Sequence, residues 1–421
     1  MKNYLFILLK SGFWGLIGGA IGKVSVAYAY VILAIKLAPE SFGDFSIIQS
    51  NIVLFGTFAG LGLGTTAIKL ISKSESIGDK LAILTSIIKL FLVSTTLVSL
   101  FVIFFSTELS LIFYGDEFYR DLFYLSVPLL VSSSFFSLVS SVYISFGFYL
   151  LNGFNSICQG VLLLAYYYFF DLTDVSEAIL YLTMSFVFPL IVFIFWMLRF
   201  NGYGSSYKYE IKKIIEICIP ITLSTLVVVP TNWLITILLA RYSPGGSVEV
   251  GMFNAASQWK NIILFVPMTL SPVMLSLLSK TTDNVDDSTK LKLNVLVSAF
   301  SASIVFLVVY MLSNNVALAY GDDYQGISSL ILLYSAITIL IVVNNSIGQY
   351  FISTGKLNLG FFLNVVWALL YVSISWLLID KGALGVLYAL AISYVSHSIL
   401  QFFFVILEIS KGKKSENLRC I

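Results

Sequence analysis

Charge is scarce in this chain. Only 11% of its 421 residues are Asp, Glu, Lys or Arg, against about 25% in soluble domains, so a water-exposed globular fold is excluded. A single histidine rules out a multi-histidine metal site, and no cofactor is implied. Three cysteines, Cys158, Cys218 and Cys420, stand far apart and offer neither a disulfide framework nor a zinc spacing. No Asp or Glu sits in the middle of an apolar run: Glu40, Asp44, Glu216, Glu249 and Glu408 all fall near run ends. Nor is any stretch between runs much longer than about fifteen residues, which leaves no room for an extramembrane domain.

In place of charge the chain has apolar residues, 58% of the total, with a mean hydropathy of +0.95. Runs of about 20 apolar residues, enough to cross a ~30 Å hydrocarbon core, recur along its whole length. Twelve spans are predicted, near residues 11–38, 44–71, 81–106, 122–145, 150–170, 176–199, 214–240, 249–279, 292–314, 325–352, 357–379 and 383–408. The opening stretch MKNYLFILLKSGFWGL has no small-residue cleavage site and reads as the retained entry to the first span. The short turns at 145–150 and 352–357 predict two tight helical hairpins.

The two sets of six repeat one another. YGDEF at Tyr114–Phe118 returns as YGDDY at Tyr320–Tyr324, 206 residues on, and ISFG at Ile144–Gly147 returns as ISTG at Ile352–Gly355, 208 on. The same 208 carries Phe42-Gly43 onto Val250-Gly251, and Gly12, Gly22 and Gly64 onto Pro220, Pro230 and Pro272. An internal repeat fixes the architecture. The expectation is an all-α membrane protein of two parallel six-helix bundles around a central cavity, 1–200 and 214–410, with a cytoplasmic linker at 201–213 and a cytoplasmic tail at 411–421. With six spans per repeat both halves point the same way, the parallel-repeat arrangement of rocking transporters.

Basic residues set the orientation. With a cytoplasmic N-terminus, the inner loops and tails carry 18 Lys or Arg against 9 acids, and the outer loops 4 against 13. Both termini are then cytoplasmic, in keeping with an even number of spans. The remaining two bases, Lys23 and Lys260, lie inside spans. A charge at the bilayer centre costs about 2.5–3.5 kcal/mol on insertion scales, so both lysines are expected to face a cavity.

Lys260 belongs to a polar stripe, Asn254, Ser257, Gln258 and Asn261, spaced i, i+3, i+4, i+7 on one helical face. Subtracting 208 from its first three members gives Ser46, Gln49 and Ser50, so both halves present polar groups at the same place. Two buried lysines with no buried carboxylate favour an anionic ligand, a diphosphate above all. The other embedded polar residues, Asn155, Gln159, Asn232, Asn344, Asn345, Gln349, Asn364, His397 and Gln401, are expected to make interhelical hydrogen bonds. Gly15, Gly18, Gly19 and Gly22, and Gly56, Gly60 and Gly64, form small-residue seams. Gly22, Gly64, Pro230 and Pro272 are candidate hinges, with packing kinks as the alternative.

The block PITLSTLVVVPTNWLITILLARY followed by EVGMFNAASQWKNIILFVP, together with LAPESFGDFSIIQS in the first half, resembles the polysaccharide exporters of the multidrug/oligosaccharidyl-lipid/polysaccharide superfamily. Within it the chain looks most like an O-antigen flippase of the Wzx type, and the resemblance covers essentially its whole length. It implies a fold like that of the multidrug exporters and a non-enzymatic flippase in the bacterial cytoplasmic membrane. Undecaprenyl-diphosphate-linked oligosaccharide is the implied cargo, moved to the periplasmic leaflet by alternating access. Membrane lipids and other polysaccharide-assembly membrane proteins are the implied partners, with no role for nucleic acid. Two other readings stay open: a cation-coupled multidrug exporter of the same fold, and a membrane polysaccharide polymerase or ligase.

Overall fold

A computed structural model describes the backbone of residues 2–200, 210–225, 227–278, 287–354 and 356–419. Most of the expected linker therefore lies outside the described residues. What is described is helical almost throughout. In chain order the helices are α1 (Lys2–Gly60), α2 (Leu63–Ile71), α3 (Ile77–Phe104), α4 (Ser106–Phe113), α5 (Arg120–Ser145), α6 (Tyr149–Phe169) and α7 (Val175–Leu198). They continue as α8 (Ile211–Thr225), α9 (Val228–Tyr242), α10 (Ser247–Leu278), α11 (Asp287–Tyr320), α12 (Ile327–Ser353), α13 (Leu357–Leu377) and α14 (Gly382–Arg419). Eight stretches within them are long and apolar enough to cross a membrane. Large apolar side chains stand outward on these helices, Phe104 at 74% and Leu318 at 82% exposure among them. The chain is an all-helical, multi-pass membrane protein.

The interruptions show where local chemistry beats apolar periodicity. The non-helical gap expected at 39–43 is absent, because α1 turns at one residue, Ala38, with φ 59° and ψ 168°. Pro39 accounts for the break and the extended ψ, since proline cannot donate to the preceding turn and keeps its predecessor out of helical geometry. At position 39 itself the fixed φ of proline suits the first turn of the restarted helix. Ala38 thus occupies a region that is nearly glycine-only, at a cost of order 1–3 kcal/mol. The helix expected at 44–71 breaks at Leu61 and Gly62, both with positive φ, before α2. The helix expected at 214–240 is two helices, α8 and α9. Pro230 stands in the first turn of α9, where a missing N–H is tolerated. Helix α4 is an addition that periodicity did not announce.

Contacts divide the chain into two compact units, residues 1–241 with 245–251, and residues 242–244 with 252–421. The first unit is built on a glycine seam between α1 and α6. A Cβ on Gly18 would lie 2.7 Å from Gly153 Cα, and one on Gly15 2.7 Å from the Tyr149 carbonyl oxygen. Gly22 lies against the Ser156 backbone, and Gly160 against Gly22. With no side chain between them, the backbones touch, which is how helices gain contact in lipid. Beside the seam, α2, α3, α5, α7 and α8 enclose a core that includes Ile87, Phe91, Val142, Tyr143, Phe193, Trp196 and Cys218. Its embedded amides bond between helices, Asn155 Nδ2 donating to the Pro189 carbonyl at 3.3 Å and Gln159 Nε2 to Ser185 Oγ at 3.2 Å.

The same unit contains the start of α10, and there the repeat meets itself. A Cβ on Gly43 would strike the Ser247 carbonyl oxygen, and a Cβ on Gly251 would strike that of Pro39. Pro39 and Ser247, like Gly43 and Gly251, are 208 residues apart. The crossing is therefore self-complementary, as at a two-fold interface. Ser247 Oγ donates to Asp44 Oδ1 at 2.6 Å, and the Tyr114 hydroxyl donates to the Asp44 carbonyl at 3.0 Å. Burial, then the Asp44 charge, hold the Tyr114 phenol well above its ordinary pKa, so it stays a neutral donor.

In the second unit, α12 lies against α11 and α14, and α13 packs on α14. Leu291, Ile347, Tyr350, Phe351, Leu363 and Val405 form a core. Asn344 and Ser398 exchange hydrogen bonds at 2.9 and 3.2 Å. Gln401 Nε2 and His397 Nε2 lie 3.3 Å apart.

Local structure repeats with the sequence. Gly115 (φ 76°) and Gly321 (φ 85°) each precede a 3₁₀ turn, Glu117–Tyr119 and Asp322–Tyr324. At each corner two tyrosines pack, Tyr114 on Tyr119 and Tyr320 on Tyr324. The two expected hairpins close alike: Phe148 N–H bonds the Tyr143 carbonyl at 2.8 Å, and Lys356 N–H the Phe351 carbonyl at 2.7 Å, again 208 residues apart. The first is a Schellman-type stop on Gly147 (φ 81°).

Two substitutions test these readings. Ala38→Gly, which relieves the left-handed φ, is expected to raise stability by about 1 kcal/mol, seen as a higher unfolding midpoint in detergent; no change would mean that Ala38 carries no strain. Gly18→Val is expected to cost about 1–3 kcal/mol by separating α1 from α6, whereas Gly19→Val is expected to be nearly neutral, because a Cβ there meets nothing within 4 Å.

Candidate functional site

The expected polar stripes fall one in each unit. In the first, the restarted part of α1 carries Ser46, Gln49, Ser50 and Asn51 toward neighbouring helices. Ser46 is buried and donates to its own helix at the Phe42 carbonyl, 2.7 Å away. Gln49 and Ser50 are half-buried. Gln49 Nε2 donates to the Tyr30 hydroxyl at 2.6 Å, across the bend at Ala38. Ser50 Oγ donates to Thr236 Oγ1 at 3.3 Å, and Trp233 Nε1 donates to Asn51 Oδ1 at 3.1 Å. Trp233 also meets Phe113 edge to face, 5.6 Å between centroids. α1 and α9 are thus joined by a ladder of side-chain bonds that periodicity could not supply, since its partners lie 182 and 186 residues apart.

Lys23 lies on this part of the chain but on another face. It is exposed on α1, next to Gly22, which is buried against α6. Gly22 sits within continuous helix, while Gly64 stands in the first turn of α2, against Ser141 Oγ. Pro230 follows the α8–α9 break. The helix runs on through position 272, but the side chain of Pro272 lies outside those described.

In the second unit, α10 carries Asn254, Ser257, Gln258, Lys260 and Asn261. Ser257 Oγ and Gln258 Nε2 both donate to the Asn254 carbonyl, at 2.8 and 3.3 Å. Asn261 is exposed. Lys260 is half-buried, with Nζ 3.4 Å from the Tyr334 hydroxyl and 5.1 Å from the centre of the same ring. Phe253 packs on that ring at 5.3 Å. The partner of Lys260 is therefore neutral. A tyrosine face and hydroxyl stabilise an ammonium by cation–π attraction and hydrogen bonding without cancelling its charge. Among the described residues neither Lys23 nor Lys260 has a carboxylate within ion-pair distance; the ion pairs found are the exposed Arg120–Asp121 and Lys213–Glu210. A charge held this way remains free to bind an anion. Tyr334 is a residue that sequence reasoning missed: it lies 74 positions from Lys260.

Comparison with known proteins agrees with this architecture. The chain resembles the "EPS I polysaccharide export inner membrane protein EpsE" of Ralstonia solanacearum, at 21% identity over 384 residues, covering 89% of this chain and 87% of that protein. Among solved structures it superposes on an inward-facing multidrug resistance transporter of the MATE family at TM-score 0.73 and 18% identity, covering 94% of this chain and 99% of the other. The lipid II flippase MurJ in an inward closed conformation matches at TM-score 0.73 and 14% identity, over 95% and 87% of the two chains. At these identities the likeness concerns fold. The model of the "Polysaccharide biosynthesis protein" family matches residues 8–281, nearly two thirds of the chain, and the protein belongs to that family.

Proposed function

We propose that this protein is a flippase that moves polyprenyl-diphosphate-linked polysaccharide units across the bacterial inner membrane, with undecaprenyl-diphosphate-linked O-antigen repeat units as cargo. The observation that carries the reading is Lys260, a half-buried ammonium whose described partner is a tyrosine rather than a carboxylate. Such a group suits a diphosphate, whose oxygens accept charge-assisted hydrogen bonds. The polysaccharide-export relative and the lipid II flippase support the same cargo class.

In this proposal twelve spans form two six-helix bundles, 1–200 and 214–410, joined by a linker at 201–213. Both termini and the tail at 411–421 are cytoplasmic. Lys23 and Lys260 attract the diphosphate. Gln49, Ser50, Asn254, Gln258 and Asn261 hydrogen-bond the sugars, with Ser46 and Ser257 holding the helix backbones behind them. The prenyl chain stays in lipid. Transport is by alternating access, with Gly22, Gly64, Pro230 and Pro272 as hinge points, and proceeds without covalent chemistry. Other polysaccharide-assembly membrane proteins are candidate partners.

Replacing Lys23 and Lys260 together with Gln is expected to abolish surface polysaccharide in cells that depend on this gene, at unchanged protein level. Lipid-linked repeat units would then accumulate on the cytoplasmic side. Normal surface polysaccharide in that double variant would overturn the diphosphate site, and altered drug tolerance with unchanged lipid intermediates would indicate the exporter reading instead. At Tyr334 a graded result is expected. Tyr334→Phe keeps the ring face and is expected to lower transport several-fold at most, whereas Tyr334→Leu loses both contacts and is expected to lower it by about tenfold or more. Equal transport by the Phe and Leu variants would show that the ring face contributes nothing.

A further inference from the structure

Away from the polar stripes, the first unit has an open cavity of about 600 Å³ at the Gly147 hairpin. Three helices finish or start there: α5 ends at Ser145, α6 begins at Tyr149 and α7 ends at Leu198. Its lining is apolar and aromatic, including Phe148, Leu151, Phe154, Trp196 and Phe200, with one charged member, Arg199. Phe148 and Phe154 are 43% and 48% exposed, so both rings present apolar surface to whatever fills the groove. A second base stands beside it. Lys80 Nζ lies 5.8 Å from the centre of the Phe146 ring, and that ring packs on Trp196 and Phe200 at 5.3 and 6.1 Å.

The pattern is a hydrophobic slot with two cations at its end, placed where membrane-spanning helices stop. That boundary is where hydrocarbon gives way to headgroups. An occupant must therefore be apolar along most of its length and anionic at one end. Arginine adds a planar fork suited to two phosphate oxygens at once, and lysine a point charge. Basic clefts between helices at the membrane surface take anionic lipid headgroups for these reasons.

We propose that this groove binds one anionic phospholipid. Its phosphate lies at Arg199, with Lys80 alongside, and an acyl chain runs over Phe148, Leu151 and Phe154 with Trp196 and Phe200 as its wall. The site is separate from the stripes on α1 and α10 and does not depend on what they carry.

The test uses the full chain purified in detergent, with phosphatidylglycerol and phosphatidylcholine as probes, read by native mass spectrometry. One phosphatidylglycerol is expected to be retained in preference to phosphatidylcholine. The double variant Lys80→Gln/Arg199→Gln is expected to lose about tenfold in apparent affinity, while Lys381→Gln keeps it. Phosphatidylglycerol with brominated acyl chains is expected to quench Trp196, seen as a loss of quenching in Trp196→Phe. That measurement is made on the otherwise unaltered chain and stands even where the double variant does not fold. Equal retention of the two lipids, undiminished affinity in a folded double variant, or quenching unaffected by Trp196→Phe would overturn the proposal. So would displacement of phosphatidylglycerol by a polyprenyl diphosphate at lower concentration, which would assign the groove to the transported lipid.

Discussion

Inside a bilayer no water takes up a free N–H or C=O, so each break in a spanning helix must be matched by residues that make the break tolerable. The positions of those breaks organise this molecule. Pro39 turns α1 at Ala38 and starts the helix that carries Ser46, Gln49 and Ser50. The Tyr30–Gln49 bond then spans the bend and fixes its angle. Pro230 stands in the first turn of α9, the helix whose Trp233 and Thr236 bond partners on α1. The polar stripe of the first unit thus sits beside irregularities in its helices.

Close packing supplies what the breaks remove. Lipid tails are as apolar as leucine, so burying leucine between helices gains little, and contact must come from backbones that touch. The α1–α6 seam does this through Gly15, Gly18, Gly22, Gly153 and Gly160. Amides then add single specific bonds, as at Asn155 and Gln159. In the second unit Trp367 packs with Tyr371 and Tyr394, and Phe253 with Tyr334. Lys260 shares the Tyr334 ring and so inherits a fixed position from that packing.

Much of this was legible in the sequence, and for a simple reason. Apolar runs of spanning length can do little else in a membrane, so helices such as α5, α6, α7 and α13 fall within a few residues of where hydropathy puts them. Turn chemistry was equally open, because ISFG and ISTG, or YGDEF and YGDDY, carry the glycines their corners need. An interruption at 39–43 was signalled by Pro39 and the polar residues after it, but its form, a bend at Ala38 within α1, was not. The partners of the polar stripes were not legible. Tyr30, Trp233, Thr236 and Tyr334 look like ordinary span residues, and only the fold brings them to Gln49, Asn51, Ser50 and Lys260. Pairing across 19 to 186 positions leaves no trace in periodicity.

The Gly43–Gly251 crossing has a further implication for which substitutions the chain tolerates. Elsewhere residues 208 apart differ, as at Lys23 and Thr231 or Ile52 and Lys260. At the crossing each copy presses on the other's carbonyl oxygen, so a methyl group gained by either glycine collides with its twin's neighbour. Neither copy can change alone, and a change in both makes the collision worse. The crossing thus admits no larger residue at either glycine, while positions 208 apart elsewhere are free to differ.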